Sequence, residues 1–158
     1  MAIKLTQKEA DTLIDMLKRT VEKEISFPQR NGRVEFDVIG DRREEVFVVN
    51  LSRKGINAEG ASYQGRVRHS GAILMRLDIN PTATHTNPDG LKITGTHLHI
   101  YTEEYDMAMA IPFDIGNKNL YQSCYTFFEK FYIIEQPKIT QRPTLSEFDN
   151  YGYSKNGQ

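Results

Sequence analysis

Ala72-Ile-Leu-Met-Arg-Leu-Asp-Ile-Asn80 and, beyond a turn-rich connection, Thr96-His-Leu-His-Ile-Tyr101 are the stretches whose reading decides the fold. In the first, Met75, Leu77 and Ile79 alternate with Arg76, Asp78 and Asn80; in the second, Leu98 and Ile100 alternate with His97, His99 and Tyr101. Side chains of a strand point to opposite faces with a period of two, so each stretch reads as a strand with one apolar side. Pairing them with the apolar sides together puts Arg76, Asp78, His97, His99 and Tyr101 on the other face. The connection, Pro81-Thr-Ala-Thr-His-Thr-Asn-Pro-Asp-Gly90, adds His85, Asn87 and Asp89. Three of the four histidines of the chain therefore fall within fifteen residues, beside one arginine and one aspartate.

Outward from this pair the period of two continues. Val34, Phe36 and Val38 alternate with Glu35, Asp37 and Ile39, Val46 to Leu51 forms a more continuous apolar run, and Tyr63 to Arg68 alternates again with Arg66 and Arg68 on one side. Short turns separate these stretches, and Met107 to Pro112 adds a last short strand, which together predict an antiparallel meander of about six strands. Helical spacing frames the meander. Thr6 and Glu9 have the spacing of a capping box, followed by an apolar stripe of Ala10, Leu13, Ile14, Leu17 and Val21. Lys8, Asp11, Asp15, Lys18, Arg19 and Glu22 read as the solvated face, and Phe27-Pro28 ends the helix. Asn117 or Asn119 caps a second helix with the stripe Leu120, Cys124, Phe127, Phe128, Phe131 and Ile134, which makes Cys124 a buried, inert thiol.

The fold class is thus α+β: an N-terminal helix, the meander, a C-terminal helix packed on the sheet and an extended C-terminal tail. Residues 1–135 form a single domain and residues 136–158 the polar tail. Ile139, Leu145, Phe148, Tyr151 and Tyr153, scattered through the tail without periodicity, mark it as a contact element for a partner chain or a second copy in a homodimer.

Composition narrows the function. A chain of 158 residues suits one domain with an ordinary core, and its single cysteine excludes a disulfide framework or a CxxC zinc site within the chain. A net charge of −1 argues against a globally basic nucleic-acid binder but permits a local basic face. No apolar run approaches the ~20 residues of a membrane span, and no signal peptide opens the chain, so the expected location is cytoplasmic, away from membrane.

Three readings compete for the histidine face. The first is an inert polar face, as antiparallel sheets often present to water. The second is a metal: His97 and His99 could reach one ion with His85 or Asp78 as a third ligand, and His97-x-His99 followed by Glu103 resembles the first cupin motif. Because no further histidine follows His99, the ligand spacing is incomplete, and neither metal nor cofactor is expected. The third is metal-free cleavage of RNA through its own 2′-hydroxyl. Here His97, His99 and His85 act as base and acid, Arg76 holds the phosphate, and Asp78 orients a histidine. Tyr101, Arg66, Arg68 and Asn87 contact the substrate in that reading.

The pattern Arg76-x-Asp78, His85-Thr-Asn-Pro-Asp-Gly90, His97-Leu-His-Ile-Tyr101 resembles a family of small uncharacterised bacterial proteins. More distantly it is similar to TumE-type toxins of toxin–antitoxin systems, with Leu77 where those toxins have an aromatic residue and a lone His85 where they have a pair. That resemblance implies a ribonuclease-like toxin or defence-element protein with RNA as substrate and an antitoxin or other protein as partner. The alternatives are a non-catalytic phage or mobile-element inhibitor binding through its sheet and tail, and a histidine-ligated metal-binding protein.

Overall fold

A capping box starts each helix. In the computed structural model, which describes residues 4–42, 44–54 and 60–141, the Thr6 hydroxyl accepts the Glu9 amide (3.1 Å) and the Glu9 carboxylate accepts the Thr6 amide (2.9 Å), opening α1 (Gln7–Asp15). Asn119 and Gln122 make the same reciprocal pair at the start of α2 (Leu120–Lys130). Two backbone donors with no partner inside the helix are satisfied at each start.

Between the helices lie β1 (Lys18–Thr20), β2 (Glu24–Ser26), β3 (Arg33–Gly40), β4 (Val46–Arg53), β5 (Ala61–Val67), β6 (Ile73–Ile79), β7 (Thr84–Thr86), β8 (Lys92–Thr94), β9 (His97–Ile100) and β10 (Ala110–Pro112). After α2 come β11 (Ile133–Glu135) and β12 (Lys138–Thr140). The main sheet has eight strands in the order β10-β9-β6-β5-β4-β3-β1-β11. It is antiparallel except at β1 and β11, which run parallel. β7 pairs with β8 as a separate hairpin, and β12 with β2. The α+β class, with a helix at each end of a mostly antiparallel sheet, is as the sequence predicts. No helix among the described residues is long and apolar enough to cross a membrane.

The two faces of the sheet divide by chemistry. Phe36, Val38, Phe47, Val49, Leu51, Tyr63, Leu77 and Leu98 form one core with Ala10 and Ile14 of α1 and Cys124, Phe127, Phe128 and Phe131 of α2. Edge-to-face ring pairs, Phe36 with Phe128 and Phe47 with Phe131, seat α2 on the sheet. Gly65 permits this seating, since a Cβ there would overlap the Phe131 ring. Burial pushes the Cys124 thiol up to about 12, in keeping with an inert role.

Three expectations need correction. The N-terminal helix stops at Asp15, well before Val21; Leu17 and Val21 are left 43% and 55% exposed. Lys18, assigned above to the solvated face, is 1% exposed. Its ammonium donates to the carbonyls of Ile14, Met16 and Phe131, each at 2.9 Å, and lies 4.0 Å from the centre of the Phe131 ring. These carbonyls sit at the C-terminal ends of both helices, where a cation complements the helix dipole and the unpaired acceptors. The second helix likewise ends early: Tyr132 takes a left-handed φ of 58°, and Ile134 becomes a strand residue, 62% exposed. Thirdly, the expected tail begins with β12, whose Ile139 is 1% exposed. Leu145, Phe148, Tyr151 and Tyr153 lie outside the described residues.

Replacing Lys18 by Met should lower the unfolding free energy by about 2–4 kcal/mol, because it strips buried carbonyls of their donor. Burial depresses the Lys18 pKa from 10.5 to about 7, against the opposing charges of Asp15 and Asp41. From pH 7 to 10.5 the unfolded chain therefore binds more protons at this site than the native one, and stability rises with pH. The stability gap between wild type and Lys18→Met, measured by urea unfolding, should widen over that window; a constant gap would mean the carbonyls keep the ammonium protonated throughout.

Candidate functional site

Cross-strand register assembles the polar face. In the β6–β9 pair Asp78 lies opposite His97 and Arg76 opposite His99; in the β5–β6 pair Ser62 lies opposite Asp78. Directly opposed residues of an antiparallel pair share a face, so Ser62, Arg76, Asp78, His97 and His99 meet there. His85 arrives from β7, and its ring stacks on that of His97 with centroids 5.3 Å apart and stands edge-on to His99 at 4.8 Å. His97 and His99 are 4.9 Å apart.

Each imidazole spends one nitrogen on a backbone carbonyl. His97 Nδ1 lies 2.8 Å from the Gly95 carbonyl, His99 Nδ1 2.7 Å from that of Met107, and His85 Nε2 2.9 Å from that of Ala108. A carbonyl only accepts, so each of these nitrogens carries the proton and donates it. In the neutral rings the other nitrogen is then a bare lone pair, and the three offer ligand atoms within 4.8 Å of one another.

Asp78 completes the group. Its Oδ1 accepts from Ser62 Oγ and Arg76 Nε, both at 2.9 Å. Its Oδ2 lies 3.3 Å from His99 Nε2 and 3.5 Å from His97 Nε2. His99 Nε2 is buried without a hydrogen-bond partner among the described residues. Burial by itself would raise the Asp78 pKa, but the neighbouring His99 ring, the Arg76 charge and hydrogen bond and the Ser62 hydroxyl outweigh it and hold the carboxyl down at about 2. Asp78 is thus an anion at any physiological pH.

Of the residues singled out in the sequence, His85, His97, His99, Arg76 and Asp78 are brought together. Each of the four substrate contacts has a partner of its own. Tyr101 lies past the end of β9, beside an extra residue in β6: its amide donates to the Leu74 carbonyl, its ring is in the core, and its hydroxyl donates to the Leu5 carbonyl at 2.8 Å. Arg66 pairs with Glu35 at 3.1 Å and Arg68 with Asp37 at 2.9 Å, drawn towards β3 and away from the histidines. Asn87 is buried and holds both backbone groups of Ala110 at 2.9 Å, which clamps the β7–β8 hairpin onto β10. Ser62 went unrecognised in the sequence, and only the pairing register could have pointed to it.

Fold and cluster together define an α+β protein with a three-histidine, one-carboxylate group on the polar face of an antiparallel sheet. The chain belongs to a family of unknown function, DUF6978, which matches residues 5–133. No curated protein and no solved structure matches the chain.

The clamp makes a local prediction. Asn87→Ala should cost about 2 kcal/mol, since it orphans a buried amide and carbonyl. Amide exchange at Ala110 should speed up more than at the core amides of β4; equal acceleration at both would show that Asn87 does not act locally.

Proposed function

We propose that the cluster is a mononuclear site for a divalent transition metal, with His85, His97, His99 and Asp78 as ligands. One observation carries this reading: each imidazole gives one nitrogen to a backbone carbonyl, and the three rings offer ligand atoms within 4.8 Å of one another. Hydrogen bonds of this kind, fixing tautomer and ring orientation, are what histidine ligands require. Asp78 Oδ2 supports it further. Around a tetrahedral zinc, with bonds of about 2.0–2.1 Å, neighbouring ligand atoms stand about 3.3 Å apart. The two Oδ2–Nε2 separations, 3.3 and 3.5 Å, already match that spacing. Three nitrogens and one oxygen suit zinc or ferrous iron better than a hard ion such as magnesium. When bound, such an ion supplies a Lewis acid at the sheet face. Ser62 and Arg76 hold Asp78 ionised and aimed at the ligand atoms, and the Asn87 clamp keeps His85 in place.

The metal-free ribonuclease reading, in the direction of TumE-type toxins, draws on the same residues. It needs an inward-facing proton on one imidazole and a lone pair on another, both within reach of RNA. The burial of His97 and His99, at 5% and 3% exposure, and the backbone carbonyl that engages each of the three rings favour the metal.

Protein titrated with cobalt(II) and zinc(II) should bind about one equivalent of either. His85→Ala, at a half-buried hairpin position, should weaken binding at least about tenfold while the protein stays folded, and His97→Ala/His99→Ala should abolish it. Failure of the wild type to bind either ion or ferrous iron would sink the proposal. Chelator-treated protein that still cut RNA to 2′,3′-cyclic phosphate ends, but not its 2′-deoxy counterpart, would establish the ribonuclease in its place.

A further inference from the structure

Arg76 presents an unused half of its guanidinium beside this cluster. Its Nε is committed to Asp78 Oδ1 at 2.9 Å, but its two terminal nitrogens have no hydrogen-bond or ion-pair partner among the described residues. Arg66 and Arg68, by contrast, turn terminal nitrogens onto Glu35 and Asp37. The side chain of Arg76 is 31% exposed and that of Asp78 24%, whereas His97 and His99 are almost wholly covered. Arg76 and Asp78 are thus more open to solvent than His97 and His99.

Charge selects what would bind there. Three neutral imidazoles, one carboxylate, one guanidinium and a divalent ion sum to a net charge of about +2, which calls for an anionic ligand. The two terminal nitrogens of a guanidinium form a planar fork that matches a pair of oxygens on one carbon or phosphorus. Resting on the metal reading, we infer that Arg76 is the anion-binding residue of the site and that the ligand is a carboxylate or phosphate, one oxygen joining the ion as a fifth ligand and another resting on the Arg76 fork. Because Nε alone holds Asp78, Arg76 serves both the carboxylate ligand and the incoming anion without exchanging one for the other.

The test uses the cobalt(II)-loaded full chain, with the visible spectrum of the ion as readout. Inorganic phosphate, acetate and azide are titrated into wild type, Arg76→Lys and Arg76→Gln. Azide can hold the ion through one atom and is the control. Phosphate or acetate, whichever class the site takes, should bind the wild type and lose about tenfold or more in both variants, since lysine keeps the charge but lacks the fork. Azide should change by less than about threefold in Arg76→Lys. The arm that shows the loss distinguishes a phosphate from a carboxylate ligand. Cobalt affinity should itself fall by about 10–100-fold in both variants, since each disturbs the support of Asp78, so the anions are titrated at saturating cobalt. Retained cobalt binding with phosphate and acetate unaffected by either variant would overturn the inference and leave the metal site standing. So would an equal loss of azide at saturating cobalt, which would make Arg76 only a positioning residue for Asp78. No cobalt on the wild type would remove the metal site and this inference together.

Discussion

A slip of one residue between β6 and β9 would turn Arg76 and Asp78 into the core and push Leu77 out of it, and the histidine cluster exists because the apolar face forbids that slip. Leu77 is fully buried and Leu98 nearly so, directly opposite one another in the register that also sets Asp78 against His97. Side chains alternate with a period of two, so no intermediate register keeps even part of either face correct. Burying a leucine is worth about 1.5–3 kcal/mol, and burying an unpaired aspartate costs more. The chemistry on the polar face is therefore held in place by the packing on the opposite one. Gly65 belongs to the same constraint, because it lets Phe131 press onto the strand beside β6.

Lys18 plays the corresponding part at the other end of the sheet. A buried ammonium is costly unless its protons are all accepted, and the carbonyls that accept them come from the ends of α1 and α2. Both helix termini are thereby tied to β1, which in turn pairs with β3 on one side and β11 on the other. The first and last parts of the chain meet here, far from the histidines, so the two polar centres act on different parts of the fold.

What was legible in the sequence follows from the range of the interactions. The capping box of Thr6 and Glu9 was visible because cap and partner are three residues apart, whereas the second helix start was narrowed only to Asn117 or Asn119; the strand pair carrying Arg76, Asp78, His97 and His99 was visible because alternation is local. The end of α1 was not. The apolar spacing runs on to Val21, but the backbone turns extended at Met16 and Lys18 goes into the core, where its third acceptor, Phe131, lies 113 residues away. Tyr101 was misplaced by an extra residue in the neighbouring strand, and Arg66 and Arg68 by acids two strands away. Asn87 has the composition of a binding residue and the geometry of a clamp. The carbonyls of Gly95, Met107 and Ala108 are not legible for a plainer reason: every residue has a carbonyl, and only the folded chain shows which ones face a ring nitrogen.

Those carbonyls also create the tension that gives the cluster its meaning. With the rings neutral, His97 and His99 would set lone pairs 3.5 and 3.3 Å from a carboxylate oxygen, acceptor against acceptor, and the His99 ring holds the Asp78 carboxyl down only with a proton on Nε2. Such an arrangement is unfavourable unless something positive lies between, either a proton on a ring or a metal ion. A proton could relieve one contact at a time, because it sits on one nitrogen. A divalent ion would relieve all of them and answer the buried, unpartnered Nε2 of His99 as well. Whatever binds the native state and not the unfolded chain adds its binding free energy to stability. The same orientation of the rings would then couple binding of an ion to the stability of the β6–β9 pair and of the hairpin that carries His85.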